Sequence, residues 1–419
     1  MNYIYSKIST DKNFFGNTDP VWLSEKYGTP LYVYNETILR KRCRDLKKLI
    51  SYPNFVVNYS PKANSNLELI KIVRNEGLRV DAMSPGEIYV NLLAGYRPED
   101  IFYISNNVGA DEFLYAIHAG VKISVDSLSQ LELFGKIAPG EDVAFRLNPG
   151  QGAGHHEKVV TAGQKTKFGI DPSLIPEVKR IAEEYNLRIT GINQHIGSLF
   201  MDGDAYLNST HNILSAAMHF DDLEFIDLGG GFGIPYQKQA NQPRLNLKDL
   251  GEKLTGILAE WTKSYGKEIE FKIEPGRYIV AESCILLGKV NVVKTNFNTK
   301  YIGTDLGFNV LIRPAMYDSH HDVEIYRKSE LLSTREETVR IVGNICESGD
   351  IIAKDRKLPE IFEDDILGVL DSGAYGYSMS SNYNNRLRPA EVLIDAEGNP
   401  RLIRRRDTLE DLTRNFVVE

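Results

Sequence analysis

Eight short apolar runs begin near Asn54, Leu78, Ile101, Lys122, Val143, Arg188, Phe225 and Phe271, and each but the last is followed by a stretch with helical character. The runs are rich in β-branched and aromatic residues and read as strands, while segments such as Ser65 to Glu76 and Asp171 to Tyr185 read as helices. Eight such alternations describe a closed (β/α)8 barrel of the α/β class better than an open doubly wound sheet. After about residue 280 the pattern changes to alternating strands without long helices, as in 288–293, 338–342 and 366–370, divided by turn residues such as Glu397-Gly398-Asn399-Pro400. The expected organisation is a barrel over residues 30–280 and an all-β sandwich or barrel over 281–419, joined by residues 1–29.

A chain of 419 residues, 42% of them hydrophobic, can bury the cores of two domains. Its formal net charge of −8 leaves no electrostatic footprint for nucleic acid or an anionic membrane, so small-molecule partners are expected. Cys43, Cys284 and Cys346 are too few and too scattered for a disulfide framework and lack metal-ligand spacing, which fits a reducing compartment. The start, Met1 to Lys7, has no apolar core followed by a cleavage site, and no segment approaches roughly eighteen continuous apolar residues. A cytoplasmic location is expected.

Residues with chemical handles gather where the runs end: Lys62, Asp81, Asn106, Asp126, Arg146 with Asn148, His195, the glycines after Leu228, and Glu274. In a barrel this is the face on which the strand–helix loops converge and active sites are built. Lys62 follows the run Asn54 to Tyr59, where partial desolvation would lower its pKa and make its amine a nucleophile toward an aldehyde. Gly229-Gly230-Gly231 could bring backbone N–H groups close to a phosphate, without the spacing of a dinucleotide fingerprint. Glu274-Pro275-Gly276-Arg277 offers a carboxylate able to keep a pyridinium nitrogen protonated and a guanidinium for a phosphate or carboxylate. His195 could stack on a flat cofactor and Ser198 hydrogen-bond a phosphate. Beyond the barrel, Cys346-Glu347 pairs a thiol able to protonate a carbanion with a carboxylate able to hold an ammonium, and 313–317 and 371–377 add anion-binding and hydroxyl groups. Each motif by itself has a plain alternative: a solvated strand-end lysine, a tight glycine turn, a mutual salt bridge, a hydrogen-bonded core histidine, a buried cysteine.

Taken together, from about Pro30 to Leu402 and in this order, the motifs resemble the fold-type III pyridoxal-phosphate decarboxylase family, in its meso-diaminopimelate branch. The resemblance implies an alanine racemase-like TIM-type barrel with a C-terminal all-β domain, and pyridoxal 5'-phosphate as cofactor. Lys62 would hold the cofactor aldehyde as a Schiff base, His195 would stack on the ring and Glu274 would pair with its nitrogen. Ser198, Gly229, Gly230, Gly231, Gly276 and Arg277 would surround the phosphate, with Asp81 and Tyr375 also at the cofactor. Arg277, Arg313 and Tyr317 would bind the distal, retained end of the substrate, Glu347 would lie near its distal ammonium, and Tyr375 would touch substrate as well as cofactor. Cys346 would return a proton after carbon dioxide leaves. The implied reaction converts meso-2,6-diaminopimelate to L-lysine and carbon dioxide, the last step of bacterial lysine synthesis. It would take place in a head-to-tail homodimer whose partner subunit lends the Cys346-Glu347 loop, so a monomer would be inactive.

The stretch Ser380 to Glu391 and the run Thr161-Ala162-Gly163 through Lys167-Phe168-Gly169-Ile170 are closer to this branch than to ornithine or arginine decarboxylases. Decarboxylation of lysine, ornithine or another carboxylated amine is the alternative, followed by a non-catalytic cofactor-binding protein, which would not need the second domain. A racemase would favour a tyrosine base where Cys346-Glu347 stands. The chain departs from the family at Ser60-Pro61, where an apolar residue is usual, at Leu199 in place of a glutamine, and at Leu387 in place of a proline. Pro61 fixes its own φ and biases Ser60 toward an extended conformation, which leaves Lys62 presentable.

Overall fold

The computed structural model describes residues 3–5, 8–150, 163, 166–328 and 335–417. They divide into two compact units, one of residues 40–234 and 244–279, the other of residues 1–39, 235–243 and 280–419.

In the first unit the strands Phe55–Tyr59, Arg79–Ala82, Ile101–Ile104, Lys122–Val125, Asp142–Arg146, Arg188–Asn193, Phe225–Asp227 and Glu270–Ile273 form a closed parallel barrel. Glu270–Ile273 seals it by pairing with Phe225–Asp227 on one side and Phe55–Tyr59 on the other. Every strand starts within one residue of the position read from the sequence, because runs buried on both faces stay apolar throughout their length. Helices Leu67–Asn75, Pro85–Leu93, Ala110–Ala119, Leu128–Ile137, Ile175–Glu184, Asp204–Ala217 and Leu247–Tyr265 follow the first seven strands. Several start on side-chain caps: Asn66 accepts from the Glu68 N–H at 3.0 Å, and Ser84 and Ser127 accept from Glu87 and Gln130, each at 3.2 Å. Such a cap is worth about 1 kcal/mol and fixes where the loop at the barrel mouth gives way to helix.

The barrel interior is packed and charged. Phe102, Ile104, Ala144 and Phe225 form an apolar cluster. Gly191 lies against the Phe225 ring so closely that an added Cβ would sit 2.2 Å from it, so a side chain at 191 would displace the ring. Above this ring Lys272, 2% exposed, places its ammonium 3.8 Å from the Phe225 centroid and 5.1 Å from that of Phe102, and 3.3 Å from Glu270 Oε1. Glu270 in turn takes a 2.7 Å ion pair from Arg79.

The second unit carries a ten-stranded sheet system. Along its main path lie Tyr3–Tyr5, Val323–Arg327, Ile366–Leu370, Cys284–Asn296, Thr299–Thr304, Glu336–Val342 and Ile351–Pro359. Leu31–Asn35 joins this path antiparallel to Cys284–Asn296 and runs parallel to Ala390–Ile394. Leu31–Asn35 and residues 235–243 thus belong to this unit although both fall inside the 30–280 span expected of the barrel. The three runs read from the sequence all lie on strands, and the Glu397 to Pro400 turn closes the hairpin of Ala390–Ile394 with Pro400–Arg404. A core that includes Phe14, Leu31, Val33, Ile285, Leu287 and Val392 holds the unit together. No helix of the described residues is long and apolar enough to cross a membrane.

Burial lowers the Lys272 ammonium from 10.5 to about 8, so between these values the folded chain binds fewer protons than the unfolded one and stability rises with pH. Relative to Lys272→Met, the wild type should gain up to about 3 kcal/mol of unfolding free energy as pH is raised through that window. Urea titrations of both proteins at several pH values measure the difference. A difference that stays flat would place the charged lysine in a far better solvated site.

Candidate active site

Lys62 stands one turn beyond the first barrel strand. The turn is closed by Ala63 N–H donating to the Ser60 carbonyl at 3.1 Å, and the Tyr59 hydroxyl donates to the Asn64 carbonyl at 2.8 Å. Ser60 supplies a function that the sequence left unexplained: its hydroxyl donates to the Asp81 carboxylate and lies 3.2 Å from the Glu274 carbonyl. An apolar residue at 60 could not hold Asp81 in this way. Pro61 is buried in the turn, and Lys62 is half-buried behind it.

Three carboxyls, Asp81, Asp227 and Glu274, are buried at the ends of their strands, and Asp81 and Glu274 interact with this lysine. Desolvation holds Asp81 and Glu274 well above the usual carboxylate range, and the Lys62 charge pulls both back. Asp227 is pushed up to about 6, chiefly by burial. Its Oδ1 accepts from the Gly229 N–H at 2.8 Å. The Asp227 charge adds to the upward push on Glu274. Asp227 Oδ2 and Glu274 Oε1 are buried and have no hydrogen-bond partner among the described residues. A second cationic site lies alongside, where buried Arg146 sits 3.7 Å from Asp126 and 4.5 Å over the Phe168 ring. Asn106 donates to Asp126 at 2.6 Å, and Gly169 N–H at 3.1 Å.

His195 accepts at Nδ1 from the Gly230 N–H at 3.1 Å, so its proton is on Nε2. Desolvation, with the Lys62 and Arg146 charges, holds the imidazole well below its usual pKa and therefore neutral. The glycine loop is forced by its neighbours as much as by its own turn. Gly229 and Gly231 have φ of 77° and 106°, and a Cβ on Gly230 would lie 2.0 Å from the Glu274 carbonyl oxygen. Gly276 packs on Ala63 and Ser60, with room for no larger residue before Ala63 is displaced. Arg277 donates to the Ser198 hydroxyl at 2.9 Å. Lys62, Asp81, His195, Ser198, Gly229, Gly230, Gly231, Glu274, Gly276 and Arg277 are thus brought together at the C-terminal mouth of the barrel, linked through neighbouring contacts. Leu199 takes a left-handed backbone with φ 68°, costly for a bulky residue. Thr161 and Ala162 lie outside the described residues.

The remaining expected site residues belong to the second unit. Arg313, 1% exposed, opens a short helix that ends at Tyr317. Tyr375 has φ 58° in a loop where Asp371 pairs with Lys238 and Gly373 N–H donates to the Ala281 carbonyl at 3.2 Å. Cys346 and Glu347 are exposed on a loop anchored by Asp350, which accepts from Phe308 and Ile345 N–H groups at 2.6 and 2.8 Å. The Ser380 to Glu391 stretch holds the same loop: Asn384 accepts from Cys346 N–H at 2.8 Å, Tyr383 donates to Glu347 at 2.7 Å, and Arg386 donates to the Asn344 carbonyl at 3.0 Å.

A pyridoxal phosphate fits this barrel mouth on its own evidence. Glu274 offers a buried, donor-poor carboxyl to a ring nitrogen, and three close-packed glycines form a cradle that any Cβ would obstruct. Lys62 offers an amine to the aldehyde. Reading residue by residue missed Asp227 and Ser60 as working parts. The signal for Asp227 was present, an acid in the strand residue just before Leu228-Gly229, where a barrel strand meets its loop. Gly230→Ala should cost about 1–3 kcal/mol in unfolding of the cofactor-free protein. Gly256→Ala, on a helix with open space around the site, should be neutral or stabilising. Thermal or urea unfolding of the two variants decides it; equal midpoints would contradict the packing described.

Comparison with known proteins agrees with this geometry. Residues 36–281 match the pyridoxal binding domain of the pyridoxal-dependent decarboxylases. The chain is 43% identical over 412 residues to a diaminopimelate decarboxylase of Methanothermobacter thermautotrophicus, covering 96% of this chain and 95% of the relative. A diaminopimelate decarboxylase of M. jannaschii in complex with L-lysine superimposes with a TM-score of 0.84 at 32% identity, over 96% of this chain and 95% of that one. Its counterpart from Helicobacter pylori, also with L-lysine, does so with a TM-score of 0.86 at 28% identity, over 94% and 98%. The chain therefore belongs to the diaminopimelate decarboxylase family of pyridoxal-dependent decarboxylases.

Proposed function

We propose that this protein decarboxylates meso-2,6-diaminopimelate to L-lysine and carbon dioxide, the closing step of lysine synthesis. The observation that carries the reading is the buried Glu274 carboxyl, whose Oε1 has no hydrogen-bond partner among the described residues, set at one barrel mouth with Lys62 and a neutral His195. Relatives named for this reaction, two of them holding L-lysine, support the substrate.

Pyridoxal phosphate, when bound, supplies an aldehyde for the substrate amine and a ring that accepts the electron pair left by the departing carboxylate. Lys62 would hold the cofactor through its aldehyde. Glu274 keeps a proton at the ring nitrogen. Burial and the neighbouring Asp227 and Asp81 charges disfavour a bare Glu274 carboxylate, so a cationic partner would stabilise it. His195 would serve as the ring's stacking partner, and being neutral it would add no charge opposing a pyridinium. Gly229, Gly230, Gly231, Gly276, Ser198 and Arg277 hold the phosphate, and Asp81 fixes the lysine turn through Ser60. Arg277, Arg313 and Tyr317 read the retained carboxylate of the substrate, Glu347 its ammonium, and Tyr375 contacts both substrate and cofactor. This pattern of two opposite charges is one that a plain diamine lacks.

Cys346 returns the proton once carbon dioxide has left. The exposure of Cys346 and Glu347 supports a shared site in which this loop serves the partner of a homodimer. Three free cysteines, two of them buried, are consistent with a reducing cytoplasm.

Purified protein should release carbon dioxide and L-lysine from meso-diaminopimelate, and little from lysine or ornithine. Failure on the first under conditions where the cofactor absorbs normally would sink the substrate assignment. Lys62→Ala should abolish both the absorption of the lysine-bound cofactor and turnover, and Cys346→Ala should cost about 10²–10⁴-fold in kcat while leaving that absorption intact. Mixing and re-equilibrating the two inactive variants should recover roughly a quarter of wild-type activity if sites are shared in a two-fold dimer. No recovery despite subunit exchange would exclude sharing.

A further inference from the structure

Arg313 is a buried cation, and three neutral side chains contact its guanidinium. Its guanidinium carbon lies 4.5 Å over the Tyr236 ring, Nη2 donates to the Ser319 hydroxyl at 3.3 Å, and Nη1 lies 2.7 Å from His321 Nε2. His321 is itself buried, with 0% exposure. Its Nδ1 is 2.7 Å from the Leu370 carbonyl oxygen.

These two contacts leave the imidazole a single protonation state. A carbonyl oxygen only accepts, so Nδ1 carries a hydrogen; a guanidinium nitrogen only donates, so Nε2 presents its lone pair. A second Nε2 proton would meet the Arg313 N–H head on. Neighbouring groups reinforce the arrangement. The Tyr236 ring stands edge-on to His321 at 5.1 Å, and Arg356 donates to the His321 backbone carbonyl at 3.2 Å. The nearby acid, Asp322, is occupied by His320 at 2.9 Å and by the Gln239 N–H at 3.0 Å.

The choice of partner matters for what the arginine can still do. A carboxylate at this position would orient Arg313 more strongly but would cancel its charge, and a ligand carboxylate would have to compete with it. A neutral imidazole orients the guanidinium without itself cancelling any of its charge. We propose that His321 is the positioning residue for Arg313, holding it in the orientation that receives the retained carboxylate of the substrate. The inference rests on the reading of Arg313 as the reader of that carboxylate.

L-Lysine, which keeps the retained carboxylate, and 1,5-diaminopentane, which lacks it, separate the possibilities when titrated calorimetrically into the holoenzyme. His321→Asn keeps a donor near the Nδ1 position and loses the acceptor; it should weaken L-lysine about 10- to 100-fold, the worth of one hydrogen bond to a charged group, and leave the diamine unchanged. His321→Gln, which places a neutral oxygen acceptor near Nε2, should bind L-lysine within about threefold of the wild type. With meso-diaminopimelate the loss should appear in KM, with kcat little changed. Thermal midpoints are measured first; should His321→Asn not fold, His321→Met, of similar size and without that acceptor, replaces it. Equal weakening of L-lysine and the diamine overturns the proposal, as does a His321→Gln protein no better than His321→Asn. Retained L-lysine affinity in His321→Asn overturns it too, provided Arg313→Ala loses that affinity. An Arg313→Ala protein that still binds L-lysine normally overturns instead the reading of Arg313, and the inference with it.

Discussion

The closing seam of the barrel decides where the chemistry lies. Phe271, Lys272 and Ile273 stand opposite Phe55, Val56 and Val57, and the same segment is in register with Phe225, Ile226 and Asp227 on its other flank. Just past the strands the pairing continues as single hydrogen bonds: Ser60 N–H to the Pro275 carbonyl at 3.3 Å, and Glu274 N–H to the Gly229 carbonyl at 3.0 Å. Lys62, Glu274 and the glycine loop meet because three strands, first, seventh and eighth in chain order, end at one level. A slip of one residue at this seam would turn Glu274 and Lys272 from the interior to the helix layer and put Ile273 in their place. No local feature of any one segment could restore the site.

The same seam concentrates charge where burial makes it expensive. Asp81, Asp227 and Glu274 are all desolvated, and Lys272 lies beneath them on aromatic rings. A carboxylate taken from water without compensation costs several kcal/mol, so the interior distributes the load. Gly229 N–H donates to Asp227, Ser60 donates to Asp81, and Glu270 takes Lys272 and Arg79. The arrangement is internally consistent and still unsaturated at Glu274 Oε1. A cationic ring nitrogen would complete it, which is why a site unfavourable to the bare fold suits the loaded enzyme.

How much of this could be read from the chain follows from the range of each interaction. The eight barrel strands and the helices between them are local, and the apolar runs locate the strand starts to within a residue. The site residues at strand ends were legible because barrel topology puts those ends on one face. Lys272 was not, since in strands covered on both sides the inward and outward residues are told apart only by register with neighbours tens of residues away. Leu31–Asn35 shows the same limit: its partners are Cys284–Asn296 and Ala390–Ile394, so nothing local marks it as part of the second unit. Ser60 looked like an unexplained departure because its meaning lies in Asp81, the inward acid of the next strand.

Two histidines show how backbone groups can assign opposite tautomers to do similar work. At the barrel mouth the Gly230 N–H donates to His195 Nδ1, which forces the proton to Nε2. In the second unit the Leu370 carbonyl accepts from His321 Nδ1, which forces the lone pair to Nε2 and turns it toward Arg313. Both rings are kept neutral, the first beside the Lys62 and Arg146 charges and the second against a buried guanidinium. A side-chain carboxylate could orient either ring as firmly, but it would stabilise the imidazolium and add a proton where a neutral group is needed. Peptide groups orient without that penalty. They also tie each tautomer to the fold itself, the first to the glycine loop at the end of the seventh strand and the second to the end of Ile366–Leu370, so the protonation state of each ring follows from strand placement rather than from a partner that titrates.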